Sequence, residues 1–241
     1  KYKLFLSLTK RHEIGSGMFE FIFTHKQAFS YRPGEYLEWT VPEAHADFRG
    51  NRRYFTIASS PTEPEIKLGV RIGPEHASSF KKRLLAMKEG EGIIASQLSG
   101  NFTLPEDTTK KLVFIAGGIG VTPFRSMIKY LLDKKEKRDI VFFYACSQED
   151  ELVYRDIFDQ AEKELGIKVV YVITREEHAP ATWKGEKGRL TEAGITKYVP
   201  DAKERTYFLS GPNAMVEGYK TQLHKLGVPR TSVVTDYFPG F

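Results

Sequence analysis

The chain has 241 residues, of which 41% are hydrophobic and 28% charged, a composition typical of a globular protein. No apolar run approaches the ~20 residues of a membrane helix. The only cysteine, Cys146, excludes an internal disulfide and a cysteine-ligated iron–sulfur cluster, and we expect it in the core. The net charge of +5 favours anionic cofactors and acidic protein partners. Nucleic acid is not expected, because the basic residues form no long patch interleaved with aromatic residues.

The first third of the chain predicts antiparallel β structure. Aromatic and aliphatic residues in partial alternation predict strands, and Pro33-Gly34 predicts a tight turn between two of them. A helix is expected over 77–87, with serines at its start and Gly90 past its end. The four strands predicted in this way lie at 3–10, 18–26, 35–41 and 65–73.

Between the last two of these strands lies the stretch NRRYFTIASSP, residues 51–61. Taken as a strand, it places Arg53 and Phe55 on the same side. The Arg53 guanidinium suits a pyrophosphate, the Phe55 ring offers a flat apolar surface, and Thr56 offers a hydroxyl beside that ring. An ordinary core strand with arginines at its edge is the alternative, and this stretch alone leaves both open.

The remaining residues alternate strands with helices, which predicts a parallel sheet. Its first strand is followed by Gly117-Gly118-Ile119-Gly120, at the kind of strand end where such sheets bind ligands. Here glycines allow a pyrophosphate to approach the backbone closely. We expect Thr122 to cap the next helix and Pro123 to occupy its first turn.

Several of these motifs together resemble the ferredoxin–NADP reductase superfamily. Arg53-Tyr54-Phe55-Thr56 followed by IASSP is similar to its flavin-binding strand, whereas a register starting at Arg52 puts Phe55 where the hydroxyl belongs. GGIGVTP, at 117–123, resembles its nicotinamide-dinucleotide loop. SGPNAM, at 210–215, resembles its C-G-P-x-x-M turn, with Ser210 in place of the usual cysteine.

The resemblance implies a two-domain fold and a bound FAD. An antiparallel, flavin-binding β-barrel would run from Lys1 to about Pro105. An NAD(P)-binding α/β domain with a parallel sheet would occupy 106–241, and FAD would lie between the two. The residues that the resemblance assigns to FAD are Arg53, Tyr54, Phe55, Thr56, Val70, Arg71, Ile72, Ser78 and Ser79, with Phe238 or Phe241 stacked on its second face.

The nicotinamide cofactor is assigned in the same way. Thr174-Arg175 follows a strand end where NADH-preferring relatives carry an acidic residue, so NADPH is favoured over NADH. The expected catalytic residues are Thr56, Ser210, Asp236 and Phe238. The residues expected to bind NADP are Gly118, Gly120, Val121, Thr122, Pro123, Thr174, Arg175, Gly211, Pro212 and Met215.

The implied reaction moves a hydride from NADPH to FAD and then single electrons to an acceptor. That acceptor would be a ferredoxin, a flavodoxin, a cytochrome or an upstream membrane domain. The alternatives are a flavin, ferric or quinone reductase without a protein partner, and a non-catalytic nucleotide-sensing module. None of the six histidines shows metal-ligand spacing. Because the chain begins at Lys1, we expect a processed piece, located in the cytoplasm or forming the soluble part of a membrane-associated protein.

Overall fold

The computed structural model describes residues 3–42, 50–75 and 77–237. Two six-stranded sheets follow one another along the chain, and the strand order of the first is β4-β3-β6-β1-β2-β5. All of its strand pairs are antiparallel. The elements of this half are β1 (Lys3–Gly15), β2 (Met18–Thr24), β3 (Tyr36–Thr40), β4 (Arg52–Thr56), β5 (Ile66–Arg71), α1 (Ser79–Ala86) and β6 (Gly92–Ser99).

The first sheet buries one face around its own core. In β1, Leu4, Leu6 and Leu8 alternate with more exposed residues, so their side chains share the inner face. The edges of the sheet meet where the Ala58 N–H donates to the Lys67 carbonyl oxygen at 2.8 Å. This contact curls the sheet toward a barrel, and the antiparallel architecture predicted for this half is confirmed.

The second sheet is parallel throughout, in the order β10-β9-β8-β7-β11-β12. Every residue of β7 and β8 is buried, because helices cover both faces of the sheet. The predicted α/β architecture is therefore confirmed as well. The elements are β7 (Leu112–Gly117), α2 (Thr122–Lys134), β8 (Ile140–Cys146), α3 (Arg155–Leu165), β9 (Lys168–Ile173), β10 (Glu186–Lys187), α4 (Glu192–Tyr198), β11 (Thr206–Gly211), α5 (Asn213–Lys225) and β12 (Val233–Tyr237).

The strand order places a switch point beside β7. The chain leaves β7 toward β8 on one side, and β11 later pairs with the other side of β7. Ligands of open α/β sheets bind in the crevice at such a point, outside the carboxyl ends of the strands. The loop after β7 and the turn after β11 both lie there. Within 3–42, 50–75 and 77–237, no helix is long and apolar enough to cross a membrane.

Two predicted local features are confirmed. Gly34 adopts a φ of +101°, and a Cβ there would lie 1.9 Å from the Phe102 carbonyl oxygen, so the turn after Pro33 requires glycine. Cys146 lies in the core, and burial raises the pKa of its thiol to about 12.

Candidate functional site

A cavity of about 680 Å³ opens between the two sheets. This volume falls within the roughly 300–1,000 Å³ typical of ligand pockets. Side chains of β4 and β5 form one wall, and the carboxyl ends of β7, β11 and β12 form the other. The lining residues are Tyr36, Arg52, Arg53, Tyr54, Phe55, Thr56, Gly69, Val70, Arg71, Lys81, Asn101, Gly117, Gly118, Ile119, Pro212, Thr235, Asp236 and Tyr237.

Strand β4 presents a guanidinium and an aromatic ring from one face. Arg53 is only 6% exposed, and its Nη1 donates to the carbonyl oxygens of Gly50 at 3.0 Å and Arg52 at 2.7 Å. The Arg53 guanidinium lies 5.4 Å, and the Phe55 ring 5.7 Å, from the ring centre of Phe80. Because both side chains pack on the same ring, their predicted placement on one face of the strand is confirmed, and both are held in a fixed direction.

Tyr54 and Arg52 also line the cavity, from more exposed positions. Tyr54 is 59% exposed, and its ring meets that of Tyr36 edge-on at a centroid distance of 5.6 Å. Arg52 pairs with Glu38 at 3.9 Å. Lining alone therefore does not separate the register that starts at Arg53 from the one that starts at Arg52. The two differ in burial, since only the Arg53 guanidinium is enclosed.

The opposite wall is made of backbone. Gly118 adopts a φ of +54° and faces open space, so a ligand can approach its main chain. A Cβ on Gly117 would lie 2.1 Å from the Met215 sulfur, and a Cβ on Gly120 would lie 2.7 Å from Gly211 Cα. The glycine loop and the turn after β11 are therefore packed directly on one another, and only glycine allows this contact.

The predicted cap at Thr122 is wrong. A 3₁₀ turn, Gly118–Val121, runs directly into α2, so the capping position falls on Val121 and has helical backbone angles. Thr122 is the first helical residue, and no side chain caps this end of the helix. Its methyl group instead faces Gly69, where a Cβ would lie 2.9 Å away. Pro123 occupies the first turn of α2, as predicted.

Asp236 lines the cavity from β12, in the second wall. It pairs in register with Ser210, and burial raises the pKa of its carboxyl from an ordinary value near 3.8 to about 6. The Ser210 Oγ is fully buried and has no hydrogen-bond partner within the described parts of the chain. A buried hydroxyl without a partner is costly, which makes it a candidate contact for a ligand group.

Strand β5 contributes Val70 and Arg71 to the cavity. Arg71 also forms an ion pair with Glu151 at 2.8 Å. Ile72 does not line the cavity, and its N–H donates to the Gly17 carbonyl oxygen at 2.8 Å. This N–H therefore extends the pairing between β2 and β5 and is not available to a ligand.

The start of α1 contributes one side chain to the cavity lining. Ser78 is fully buried and caps the helix, because its Oγ accepts the Lys81 N–H at 3.2 Å. Neither Ser78 nor Ser79 lines the cavity, whereas the buried Lys81 does. Lys81 went unrecognised in the sequence, where it stands in a run of basic residues typical of an exposed helix face.

Thr174 and Arg175 lie at the carboxyl end of β9, away from the cavity lining. The Thr174 N–H donates to the Cys146 carbonyl oxygen at 2.8 Å, which fixes this strand end against β8. Arg175 is exposed and forms no ion pair with any residue that the structure describes.

The structure thus unites some of the predicted site residues and separates others. Their roles toward a cofactor stay predictions. Phe238 and Phe241, predicted to stack on the flavin, lie outside the described residues. The predicted residues that line the cavity are Arg53, Tyr54, Phe55, Thr56, Val70, Arg71, Gly118, Pro212 and Asp236. Those that the structure describes outside its lining are Ile72, Ser78, Ser79, Gly120, Val121, Thr122, Pro123, Thr174, Arg175, Ser210, Gly211 and Met215.

Comparison with known proteins shows what the chain is similar to. Residues 114–221 match the family model of the oxidoreductase NAD-binding domain. The xylene/toluene monooxygenase electron transfer component XylA of Pseudomonas putida is 24% identical over 233 residues, which are 96% of this chain and 64% of that protein. Flavohemoprotein A of Dictyostelium discoideum is 22% identical over 223 residues, 88% of this chain and 54% of that protein. The chain therefore spans between about half and two thirds of these curated relatives.

Among solved structures, the flavohem-like FAD/NAD binding domain of nitric oxide dioxygenase from Vibrio cholerae superposes with a TM-score of 0.83. The two chains are 17% identical, and the match covers 98% of each. The whole described fold is thus that of a ferredoxin–NADP reductase-like module, and the resemblance predicted from the sequence is confirmed. Residues 114–221 are thus similar to an oxidoreductase NAD-binding domain, and the described chain has the fold of an FAD/NAD binding domain.

The residues present fit the cofactors for which these similar proteins are named, FAD and a nicotinamide nucleotide. A flavin nucleotide needs a cation for its pyrophosphate and a flat apolar surface for its ring, and Arg53 and Phe55 offer both from one wall. A nicotinamide nucleotide needs an open backbone at a strand end, which Gly118 supplies. Ser210 adds a buried hydroxyl that lacks a partner in the described structure.

Proposed function

We propose that this chain is a reductase that moves a hydride from NADPH to FAD and then releases electrons singly to an acceptor protein or domain. The observation that carries the proposal is the cavity in which side chains of β4 face the glycine ends of β7 and β11. One wall suits a flavin and the other a nicotinamide nucleotide. In this assignment residues 1–105 serve FAD and residues 106–241 serve NADPH.

FAD supplies the redox chemistry, because its flavin ring accepts a hydride as a pair of electrons and returns the electrons one at a time. Arg53 would hold the pyrophosphate, Phe55 would support the ring, and Phe238 or Phe241 would cover its other face. Gly118 and Pro212 would receive the nicotinamide nucleotide along their backbone. The task of the protein is orientation and the exclusion of side reactions.

Three polar side chains are assigned to the reacting end of the cavity: Thr56 and Asp236 line it, and Ser210 pairs with Asp236 just outside the lining. Thr56 is 4% exposed, so its hydroxyl is held out of bulk water and can bond a ring nitrogen. Ser210 can donate to the carboxamide of the nicotinamide. Asp236, whose pKa is raised to about 6 by burial, can take up and release a proton near neutral pH.

Arg175 carries the proposed preference for NADPH. A guanidinium binds a phosphate with two parallel hydrogen bonds, and Arg175 is exposed at the strand end beside β8 without an ion-pair partner in the described structure. We expect R175Q to weaken the apparent affinity for NADPH by about 10- to 100-fold, the loss of charge-assisted hydrogen bonds, and to leave that for NADH unchanged. Initial rates over a range of each nucleotide measure both constants. Equal weakening for the two nucleotides, or none, contradicts this role.

The acceptor is proposed to be a protein or a domain outside these residues. The relative XylA is named as an electron transfer component, and it is longer than the present chain. We infer a similar division of labour here, with the electrons leaving this module for a separate redox centre. We expect this partner to be acidic, because the chain carries a net charge of +5.

Turnover with an artificial one-electron acceptor tests the reaction itself. The purified protein, supplied with FAD, is mixed with NADPH and ferricyanide, and oxidation of NADPH is followed by absorbance. We expect rapid turnover that depends on FAD and is slower with NADH. A protein that binds FAD and NADPH but leaves ferricyanide oxidised would instead be a nucleotide-sensing module.

A further inference from the structure

A buried arginine of the second half reaches into the first. Arg125 lies in the first turn of α2 and is 4% exposed. Its Nη1 donates to the Ala58 carbonyl oxygen at 3.1 Å and to Glu63 Oε1 at 2.6 Å, and its Nη2 donates to Glu63 Oε2 at 3.2 Å. The guanidinium therefore binds the Glu63 carboxylate through two hydrogen bonds and the Ala58 carbonyl oxygen through a third.

Both ends of this contact adjoin the walls of the cavity. Ala58 follows the last residue of β4 by two positions, so its carbonyl is continuous with the strand that carries Arg53 and Phe55. On the other side, α2 begins directly after the 3₁₀ turn Gly118–Val121. A second bond runs in parallel, because the Ser126 Oγ donates to the Ser59 carbonyl oxygen at 2.8 Å.

Electrostatics keep the pair charged. Burial raises the pKa of Glu63, but the hydrogen bond and charge of Arg125 outweigh it, and the pKa lies below its ordinary value. Burial lowers the pKa of Arg125, and Glu63 raises it again to a value above the ordinary one. Glu63 also accepts the Ser60 N–H at 2.8 Å, and the ring of Tyr154 lies 5.3 Å from the Arg125 guanidinium.

Such a pair specifies geometry more than it adds stability. A buried ion pair contributes little net free energy compared with well-packed apolar residues of the same size. Two parallel N–H···O bonds, however, fix the relative orientation of the groups they join. Here they join the start of α2 to Glu63, in the segment between β4 and β5, while the bond to the Ala58 carbonyl joins the same helix to the end of β4. One turn earlier in α2, Thr122 packs against Gly69 of β5, which limits movement of the helix along the first sheet.

We propose that Arg125 and Glu63 are positioning residues, which set the distance and angle between the Gly118–Val121 turn and β4 and thereby align the two cofactors for hydride transfer. The proposal rests on the proposed function for its catalytic consequence. Neither residue lines the cavity, so both would act through the elements that they join. The structural part, a fixed junction between the two sheets, stands independently of any reaction.

The test compares R125Q with R205Q. Arg205 is a matched control, because it is 8% exposed, donates to the Leu112 carbonyl oxygen at 3.1 Å, and pairs with Asp139 at 2.8 Å and Asp201 at 2.9 Å, entirely within the second half. Two quantities are measured: the rate at which bound FAD is reduced by saturating NADPH in stopped flow, and hydrogen exchange of the backbone amides at 57–60 and in the first turn of α2. R125K serves as the conservative variant.

We expect R125Q to slow flavin reduction by about 10- to 100-fold, the effect of a small misalignment, with little change in the KM for NADPH. Exchange at 57–60 should accelerate in R125Q alone, and R125K should recover part of the rate. R205Q should lower stability and leave the rate unchanged. An unchanged rate in R125Q that still binds FAD, or an equal loss of rate in R205Q, would overturn the proposal.

The two proposals fail in different ways. If the unaltered protein binds FAD but is not reduced by NADPH, the proposed function has failed. Hydrogen exchange then still decides on the junction: faster exchange at 57–60 in R125Q than in R205Q supports it, and equal exchange in both variants overturns it.

Discussion

The wall of the cavity formed by β4 presents side chains, whereas the wall formed by the ends of β7 and β11 presents backbone. Arg53 and Phe55 are each fixed by packing on Phe80. Across the cavity, Gly120 and Gly211 lie just behind the lining and, because they lack side chains, let the glycine loop and the turn after β11 pack together. A shortened side chain in the first wall therefore leaves the backbone in place, whereas a carbon added at Gly120 would collide with backbone. We therefore expect the first wall to lose ligand binding when a side chain is shortened, and the second to lose stability when a side chain is added.

The largest effect is expected from adding one carbon to the second wall. G120A places a Cβ 2.5 Å from the Ser210 carbonyl oxygen, and because that atom is backbone, the loop or the turn must move. We expect the free energy of unfolding to fall by about 3 kcal/mol, measured by urea denaturation.

The matched control is G166A. Gly166 has a φ of +71°, but nothing lies within 4 Å of its missing Cβ, so only backbone strain is added. Strain of this kind costs about 1 kcal/mol. If G120A were no more damaging than G166A, the close contact between the two glycine segments would be disproved.

A smaller effect, on binding alone, is expected from the first wall. R53Q removes the enclosed guanidinium, and we expect the dissociation constant for FAD to rise by about 10- to 100-fold with little change in stability. Quenching of FAD fluorescence on binding measures this dissociation constant for R53Q and for the control variant R52Q. Arg52 is more exposed than Arg53, and its guanidinium lies 3.9 Å from the Glu38 carboxylate, beyond hydrogen-bond distance. We therefore expect R52Q to bind FAD nearly as well as the unaltered protein. The reverse order would support the register that starts at Arg52.

The smallest effect concerns Asp236, which lines the cavity from β12. Its pKa of about 6 lies above the ordinary value near 3.8, so the folded state disfavours the charged carboxylate. Stability should therefore fall as the pH rises from about 4 to about 6 and stay lower above that. D236N removes this cost, and we expect it to raise the free energy of unfolding at pH 8 by about 1–2 kcal/mol, after allowance for partial exposure, and hardly at all at pH 4.

Urea denaturation of D236N and the unaltered protein between pH 4 and pH 8 makes the measurement. A gain that is the same at every pH would mean that the substitution improves packing and that the carboxyl titrates normally. In that case the assignment of a proton-handling role to Asp236 would lose its support.

Local patterns predicted much of this architecture. The alternation in β1 and the uninterrupted apolar run of β7 each reflect burial on one or two faces, which can be read within a few residues. Strand β6 (Gly92–Ser99) was missed, although it lies in the middle of the first sheet. Its side chains are mostly small or polar, Gln97 has a φ of +55°, and its partners β1 and β3 are distant in sequence.

The site was only partly predictable for a similar reason. Arg53 and Phe55 share a face because two residues make one strand period, which needs no knowledge of the fold. The role of Arg125 depends on Ala58 and Glu63, which are 67 and 62 residues away in the chain. Thr122 was assigned to a cap because its residue type suits one, but the preceding 3₁₀ turn had already taken that position. The role of Arg125 thus depends on contacts between the two sheets, and that of Thr122 on the conformation of the preceding turn.

The central claim is that the cavity between the sheets holds FAD with its ring accessible to NADPH. The most direct measurement is an anaerobic titration of the purified protein with FAD, followed by visible absorbance, and then addition of one equivalent of NADPH. We predict binding of one FAD per chain, with a perturbed flavin spectrum that bleaches rapidly when NADPH is added. A protein that stays colourless after incubation with FAD and removal of the free cofactor would contradict the assignment of Arg53, Phe55 and Thr56, and with it the proposed function.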